Sequence, residues 1–546
     1  MIVLIGDVGN PDGHYHLGDE AMLESAVHAL RERGQHEITV ISSDPASTQE
    51  RYGVASIGRI GFTGLTSAQR ESRLEAVVGA ARGELGRIDW HDSAWAVIEA
   101  IAASTGVIVT GGGNLSLLWP EHVYERVALA RIATVMGRPI ALSGQMLGPF
   151  LDQRTGELVG ELLASAVAIG VRDGHSLEIA HRLIGERPVS LLGDDALLLG
   201  DDAAGLDADG VDAGPVVATF APYLAGIPID AFVAGAATTL ETLRQLTGAD
   251  VQFVPHAGTL GRHDDDDSVL HARVAERLGH GTLSPLLDAT ATATLHRSAS
   301  FTLSTRYHPL VFASLAGRPM IGAPADDYTA TKISGALAVI GAQQALVPAG
   351  ALGGSACIAA ATSVWAARDL IAAAAAARRP GLIDAHRRWW DALADSFGAA
   401  PAVVVPAAAE LALVDEPTRT ELTRITSVHL SAGSRTTMNN FEATERGLEV
   451  DAVRTELDEA TQTIADLHDE LARSTQQASE LEGALAQSHR LLSELADPAL
   501  QRGLSRNVDR YIPPSTIEAL LDTRTFRWAR RVRSAWARVR RSARRS

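Results

Sequence analysis

Short runs of apolar and β-branched residues recur along roughly the first 345 positions, each closed by a Gly, Asp, Pro or Ser turn and followed by a helical pattern. One series lies at 2–5, 38–41, 107–110, 140–143, 168–171 and 189–192, and a second at 216–220, 251–254, 301–304 and 320–322. Runs that are apolar throughout, without polar alternation, suit parallel strands covered by helices on both faces. The pattern therefore predicts an α/β protein with two doubly wound domains, at 1–200 and 201–399, facing each other across a cleft. The Gly/Asp-rich stretch 200–214 is the expected boundary.

Beyond residue 400 the pattern changes. Residues 400–444 mix Pro, Ala and Val with Ser, Thr and Asn and predict a linker or loosely packed extension. From 445 to 497 a heptad takes over, with Val450, Leu457, Ile464, Leu471, Ala478, Leu485 and Leu492 at seven-residue intervals. Val453, Ala460, Leu467, Leu481 and Leu495 fill most of the alternate seam, with Ser474 and Ser488 as polar exceptions. This predicts a coiled coil on the order of 70 Å long. One long helix folded back on the body is the alternative, but the narrow seam and charged flanks favour a homo-oligomer. The tail at 498–546 ends in a basic amphipathic pattern, with Ala529, Val532, Trp536, Val539 and Ala543 on one stripe. Such a helix suits an anionic membrane surface through residues 524–546; a disordered tail that partners the acidic coil is the rival.

A chain of 546 residues is too long for a single core, in agreement with the division into domains. Net charge is −18, although residues 524–546 hold ten arginines and no acid, so the remainder carries about −28. An acidic body argues against nucleic acid as a partner. No apolar run approaches the roughly 20 residues of a membrane span. The N-terminus reads as a first strand rather than a signal peptide, and the single cysteine, Cys357, excludes an internal disulfide and a Cys-based zinc site. A cytoplasmic protein is expected, held by its tail at the inner face of the plasma membrane. Lys332 is the only lysine in the chain.

Candidate chemistry collects at strand ends. In Leu17-Gly18-Asp19-Glu20, a helix start can hold an anion or a sugar hydroxyl, although Asp19 and Glu20 can also be plain caps on the helix dipole. In Thr110-Gly111-Gly112-Gly113-Asn114, Gly112 and Gly113 allow close backbone approach and Asn114 offers amide bonds, with a tight structural turn as the rival. Neither the spaced dinucleotide fingerprint nor a P-loop is present. Gln145, in Ser143-Gly144-Gln145-Met146-Leu147-Gly148-Pro149, and Arg172, in Val171-Arg172-Asp173, also end strands. Arg172 can clamp a carboxylate or phosphate, or pair within the domain with Asp173 or Asp194. Arg306 and His308, in Ser304-Thr305-Arg306-Tyr307-His308-Pro309, lie two apart at a strand end and can face one cleft. With Lys332 and Arg172 they describe a site for a small, heavily charged anion. His256 ends another strand and can touch an acceptor or be buried. The run His263-Asp264-Asp265-Asp266-Asp267 can ligate a divalent cation but reads better as a solvated turn, so no metal is expected.

Taken in order, these motifs resemble those of the polysaccharide pyruvyl transferases over roughly residues 1–345. The family pattern has Leu where Tyr307 stands and Gln-Gly-Val where Gln145-Met146-Leu147 stands, departures that bear on substrate shape more than on the reaction. The resemblance implies two Rossmann-like, GT-B-like domains. It also implies a transfer of pyruvate from phosphoenolpyruvate to a glycan or lipid-linked sugar, as a ketal and with release of phosphate. Phosphoenolpyruvate is then a co-substrate, with no cofactor required. Under that reading His308 is the general acid, Arg306, Lys332 and Arg172 bind the donor, and Asp19, Glu20, Gly112, Gly113, Asn114, Gln145 and His256 serve the acceptor or its loops. The rivals are a GT-B glycosyltransferase using a nucleotide sugar and a membrane-docked scaffold without activity.

Overall fold

The computed structural model describes residues 1–9, 13–199, 214–397, 403 and 405–494. The expected domain boundary, apart from Gly214, and the tail at 498–546 lie outside the described residues. Met1–Ala452 form one compact unit that holds both sheets, and the chain from Val453 onward forms a second.

The first sheet runs in the order Ala55–Gly58, Ile38–Ser42, Ile2–Ile5, Gly106–Val109, Ile140–Leu147, Ala168–Val171 and Ser190–Leu191, with every neighbouring pair parallel. Gly112–Leu115 runs beside Ile140–Leu147. The second sheet, also parallel, runs Thr282–Leu283, Val251–Phe253, Val216–Thr219, Phe301–Ser304 and Met320–Gly322. Both are Rossmann-like, and each reverses its strand order once. The reversals fall between Ile2–Ile5 and Gly106–Val109, and between Val216–Thr219 and Phe301–Ser304. Ile2 and Leu4 pack into one hydrophobic cluster while Val3 and Ile5 pack into another. This two-sided burial is why the strands read as unbroken apolar runs. Each such side chain contributes about 1.5–3 kcal/mol.

The two halves are tied together. His14–His16 pairs antiparallel with Ala257–Thr259 from the second half. Helix Arg368–Ser396 returns to the first half, where Trp389 Nε1 donates to Ser143 Oγ at 2.9 Å and His386 Nε2 lies 3.0 Å from the Leu192 carbonyl oxygen. The open edge at Ser190–Leu191 is covered by the same distant chain: Leu191 N donates to Val403 O and Val405 N to Leu191 O, at 3.0 and 3.2 Å. A covered edge cannot template pairing with another chain.

The region expected as a linker folds differently. A helix runs from Glu416 to Glu494, and Leu422, Leu430, Ser434 and Thr437 are buried against the body. Among the described residues no single helix is long and apolar enough to cross a membrane. The bent pair Ser355–Ala366 and Arg368–Asp395 passes by length and composition together, yet its Cys357, Ala361, Val364, Ile371 and Trp389 are buried in the core.

Candidate functional site

In doubly wound sheets, ligands bind beyond the carboxyl ends of the strands where the order reverses. At the first reversal the chain leaves as Gly6-Asp7 and as Thr110 to Asn114. Asp7 is buried, and four donors converge on it: Arg126 Nη2 at 2.6 Å, His122 Nδ1 at 2.7 Å, Arg59 Nη2 at 3.2 Å, and the Asn114 amide. Those charges outweigh the cost of burial and hold its carboxyl well below the usual range. The Gly-rich loop is pinned from beneath. Gln145 Nε2 donates to Thr110 O at 2.6 Å and to Ser143 O at 2.8 Å, while Gly111 N and Ser143 Oγ both donate to Asp195. Burial pushes Asp195 up to about 7.

At the second reversal the chain leaves as Thr305 to His308. The His308 ring lies directly against the backbone of the first half here: a Cβ on Gly18 would lie 2.0 Å from His308 Nδ1. Only glycine at the start of helix Leu17–Glu32 lets the imidazole sit there. His308 Nε2 lies 3.6 Å from Asp194 Oδ1, beyond hydrogen-bond reach, and has no hydrogen-bond partner among the described residues. Burial pushes the His308 pKa down, while the Asp194 carboxylate opposes the shift. Despite its burial, Asp194 is held at about 2 by His308 and Arg172, and it also caps the turn Asp195–Leu198. Arg172 Nη1 reaches Asp194 at 3.2 Å, and its guanidinium stacks 4.1 Å from the Tyr307 ring centroid.

Lys332 sits on helix Asp327–Ala338 against the other loop. A Cβ on Gly113 would meet its Cε and Nζ at 2.6 and 2.7 Å. One turn earlier, Tyr328 donates to Gly113 O at 2.8 Å and accepts from Trp119 Nε1 at 3.0 Å, and the ammonium lies 4.2 Å from its ring centroid. Burial and the charge of Arg172 lower the Lys332 pKa, with Asp19 and Asp326 opposing. Burial and the Asp7 charge raise that of Asp19.

The crevice thus gathers His308, Lys332, Arg172, Asp19, Gly112, Gly113 and Asn114, with Asn114 spent on Asp7. Several residues expected at a ligand are engaged with partners inside the protein. Arg306 is fastened to buried Asp267 through two bonds, Nε to Oδ2 at 3.0 Å and Nη2 to Oδ1 at 2.5 Å, although it stays partly exposed. Arg172 is fully buried in its pair with Asp194, the intra-domain reading. Gln145 serves the loop from below. Glu20 is buried, accepting from the Tyr52 hydroxyl and from Gly9 N. His256 is set into the core, its Nε2 2.9 Å from His296 Nε2, and burial drives its pKa far down. The acidic run is spent piecemeal: Asp264 on Arg262, Asp265 on Thr259 N, Asp266 on His14 and Asp267 on Arg306. Among the described residues no cluster of three or more His, Cys, Asp or Glu side chains is arranged to hold a metal. Sequence reasoning missed Asp7, Arg59, His122, Arg126, Asp195, Trp119 and Tyr328. Of these only Asp7, directly after the first strand, stood where a signal could be read.

Two Rossmann-like domains whose reversals open on one crevice make this a GT-B-like α/β protein. Residues 16–326 match the polysaccharide pyruvyl transferase family, and the chain belongs to that family. No curated protein matches it. Similar solved structures include a protein described as a UDP-N-acetylglucosamine 2-epimerase from Listeria monocytogenes, 12% identical, covering 74% of this chain and 99% of that one at a TM-score of 0.48. The UDP-GlcNAc 2-epimerase of Neisseria meningitidis, bound to UDP-GlcNAc, is also 12% identical and covers 73% of this chain and 96% of its own at a TM-score of 0.40.

Proposed function

We propose that the protein transfers pyruvate from phosphoenolpyruvate to two hydroxyls of a sugar in a polysaccharide precursor, forming a cyclic ketal and releasing phosphate. The observation that carries this reading is the buried, unpartnered Nε2 of His308 beside Asp194, with Lys332 and Arg172 in the same crevice. The donor has a carboxylate and a phosphate, whose charges would add to that of Asp194 beside the imidazole. In an acidic environment of that kind a donor dianion raises the His308 pKa and fills it with a proton. His308 then protonates the methylene carbon, and the electron-poor C2 is attacked by the first sugar hydroxyl. Asp19, whose raised pKa suits it to accept a proton, takes the one that hydroxyl loses. The second hydroxyl displaces phosphate with loss of its own proton, closing the ring.

Thermal shift separates this from the use of a nucleotide sugar. At about 100 times its Kd a ligand stabilises the folded state by about 2.7 kcal/mol, so phosphoenolpyruvate should raise the midpoint and UDP- or GDP-sugars should leave it unmoved. The converse result, together with no phosphate release from phosphoenolpyruvate in the presence of nitrophenyl sugars, would overturn the reading.

We further propose that the heptad seam pairs with a second copy of the chain. In the unit from Val453, the seam residues Val453, Leu457, Ile464, Leu467, Leu471, Leu481 and Leu485 are 51–71% exposed in the single chain. A parallel or antiparallel partner would cover them. Light scattering should report an oligomer that the double variant Ile464→Glu, Leu471→Glu reduces to a monomer; a monomeric wild type would refute the pairing.

A further inference from the structure

The family match ends at residue 326, and the proposed chemistry makes no use of the long helix that starts at Glu416. Yet the root of this helix is bonded to the start of the helix that carries Lys332. Asp326 caps helix Asp327–Ala338, accepting from Thr329 N at 2.8 Å and Thr329 Oγ1 at 2.7 Å. Its other oxygen accepts from Thr437 Oγ1 at 2.5 Å. Next to it, Ser434 Oγ donates to Asp327 Oδ2 at 2.7 Å and accepts from Asp327 N at 2.9 Å. Asp326 is buried, as are Ser434 and Thr437, so these are bonds shielded from water and stronger for it. Further along, Glu445 forms an ion pair with buried Arg70 on helix Ser67–Ala81 of the first half. One helix therefore grips both halves.

The consequence for the site follows from helix geometry. Tyr328 and Lys332 are four residues apart and share a face. That face meets Gly113, through the Tyr328 hydroxyl and through the lysine itself. A helix is stiff over so few residues, so a displacement of its cap carries both side chains with it. The charged groups that act on Lys332 are Arg172, Arg306, Asp19 and Asp326, with the Tyr328 ring beneath the ammonium. Asp326 is the one that the long helix touches.

We propose that Thr437 and Ser434 are positioning residues for Lys332, so that the donor site is complete only when the root of the long helix is docked on Asp326 and Asp327. The effect on turnover rests on the phosphoenolpyruvate reading, whereas the positioning does not. Removing the Thr437 hydroxyl leaves an Asp326 oxygen without its donor and loosens the carboxylate that favours the ammonium.

The chain supplies its own probe, because Lys332 is its only lysine. Reductive methylation with ¹³C-formaldehyde labels that side chain and the N-terminal amine alone, and an NMR titration then reads the lysine pKa. Thr437→Val should lower it by about half a unit or more, since a supporting charge is displaced. On unlabelled protein the same variant should raise KM for phosphoenolpyruvate about five- to tenfold, with kcat changed less. Thr437→Ser keeps the hydroxyl and should match the wild type in both. A Thr437→Val lysine that titrates as in the wild type would sink the proposal, as would a Thr437→Ser variant that behaves like Thr437→Val. Should Thr437→Val fail to fold by circular dichroism, Ser434→Ala gives the same readouts from the neighbouring carboxylate. A lysine shift without any measurable KM would count against the donor and leave the positioning standing.

Discussion

Replacing His308 with alanine is expected to lower phosphate release from phosphoenolpyruvate by about 10²-fold or more, the usual scale for loss of a general acid. The fold should survive, since the ring rests on the backbone of Gly18 and makes no hydrogen bond among the described residues. The pH profile gives a sharper reading than the rate alone. Burial holds the His308 pKa below its ordinary value, and Asp194 pulls it back up. An acid works in its protonated form, so activity should fall as pH rises through the pKa of the bound complex. Asp194→Asn removes the upward pull and should move that fall to lower pH. If Asp194→Asn left the profile in place, or His308→Ala turned over at near the normal rate, the assignment of the acid would fail.

Asp7→Asn should have the largest effect on stability, costing about 3–5 kcal/mol, the range for breaking a buried ion pair by removing one partner. Arg59, Arg126 and His122 all reach this one carboxylate, and without it the buried Arg59 and Arg126 guanidiniums are left to share Glu125, 2.8 and 3.9 Å away. Urea unfolding at neutral pH measures the loss. A second signature lies in acid. The folded-state pKa of Asp7 is depressed, so its stabilisation is present above the unfolded value near 4 and is lost as pH falls toward the folded value. The variant should therefore lack that part of the acid limb. A variant within about 0.5 kcal/mol of wild type, the scale of an ordinary surface substitution, would show that the hub carries no weight.

The sheets were legible in the sequence because parallel strands buried on both faces leave an unmistakable apolar run, as at 2–5 and 301–304. The motifs at strand ends were legible for the same reason, since the end of each run marks the rim of the sheet. What could not be read is which rim residues find partners inside the protein. Arg306 looks free in sequence, and its partner Asp267 lies 39 positions earlier at the end of an acidic run that reads as solvated. Asp7 is a single acid after a strand, and its meaning comes from Arg59, Asn114, His122 and Arg126, which only the fold brings near. The stretch at 416–444 read as a linker because it has no repeating apolar seam. It docks through Leu422, Leu430 and the small hydroxyl residues Ser434 and Thr437, a composition that also describes loops.

The covering of Ser190–Leu191 by Val403 and Val405 has a consequence for biosynthesis. The ribosome delivers the first sheet complete in sequence but with one side unzipped, and the segment that seals it is still a whole domain away from being translated. At about 5–20 residues per second, that interval lasts on the order of 10–40 s. Throughout it, Ser143 also waits for the indole of Trp389. During that interval the two-residue edge Ser190–Leu191 is open to pairing, and a holdase chaperone would have its window there.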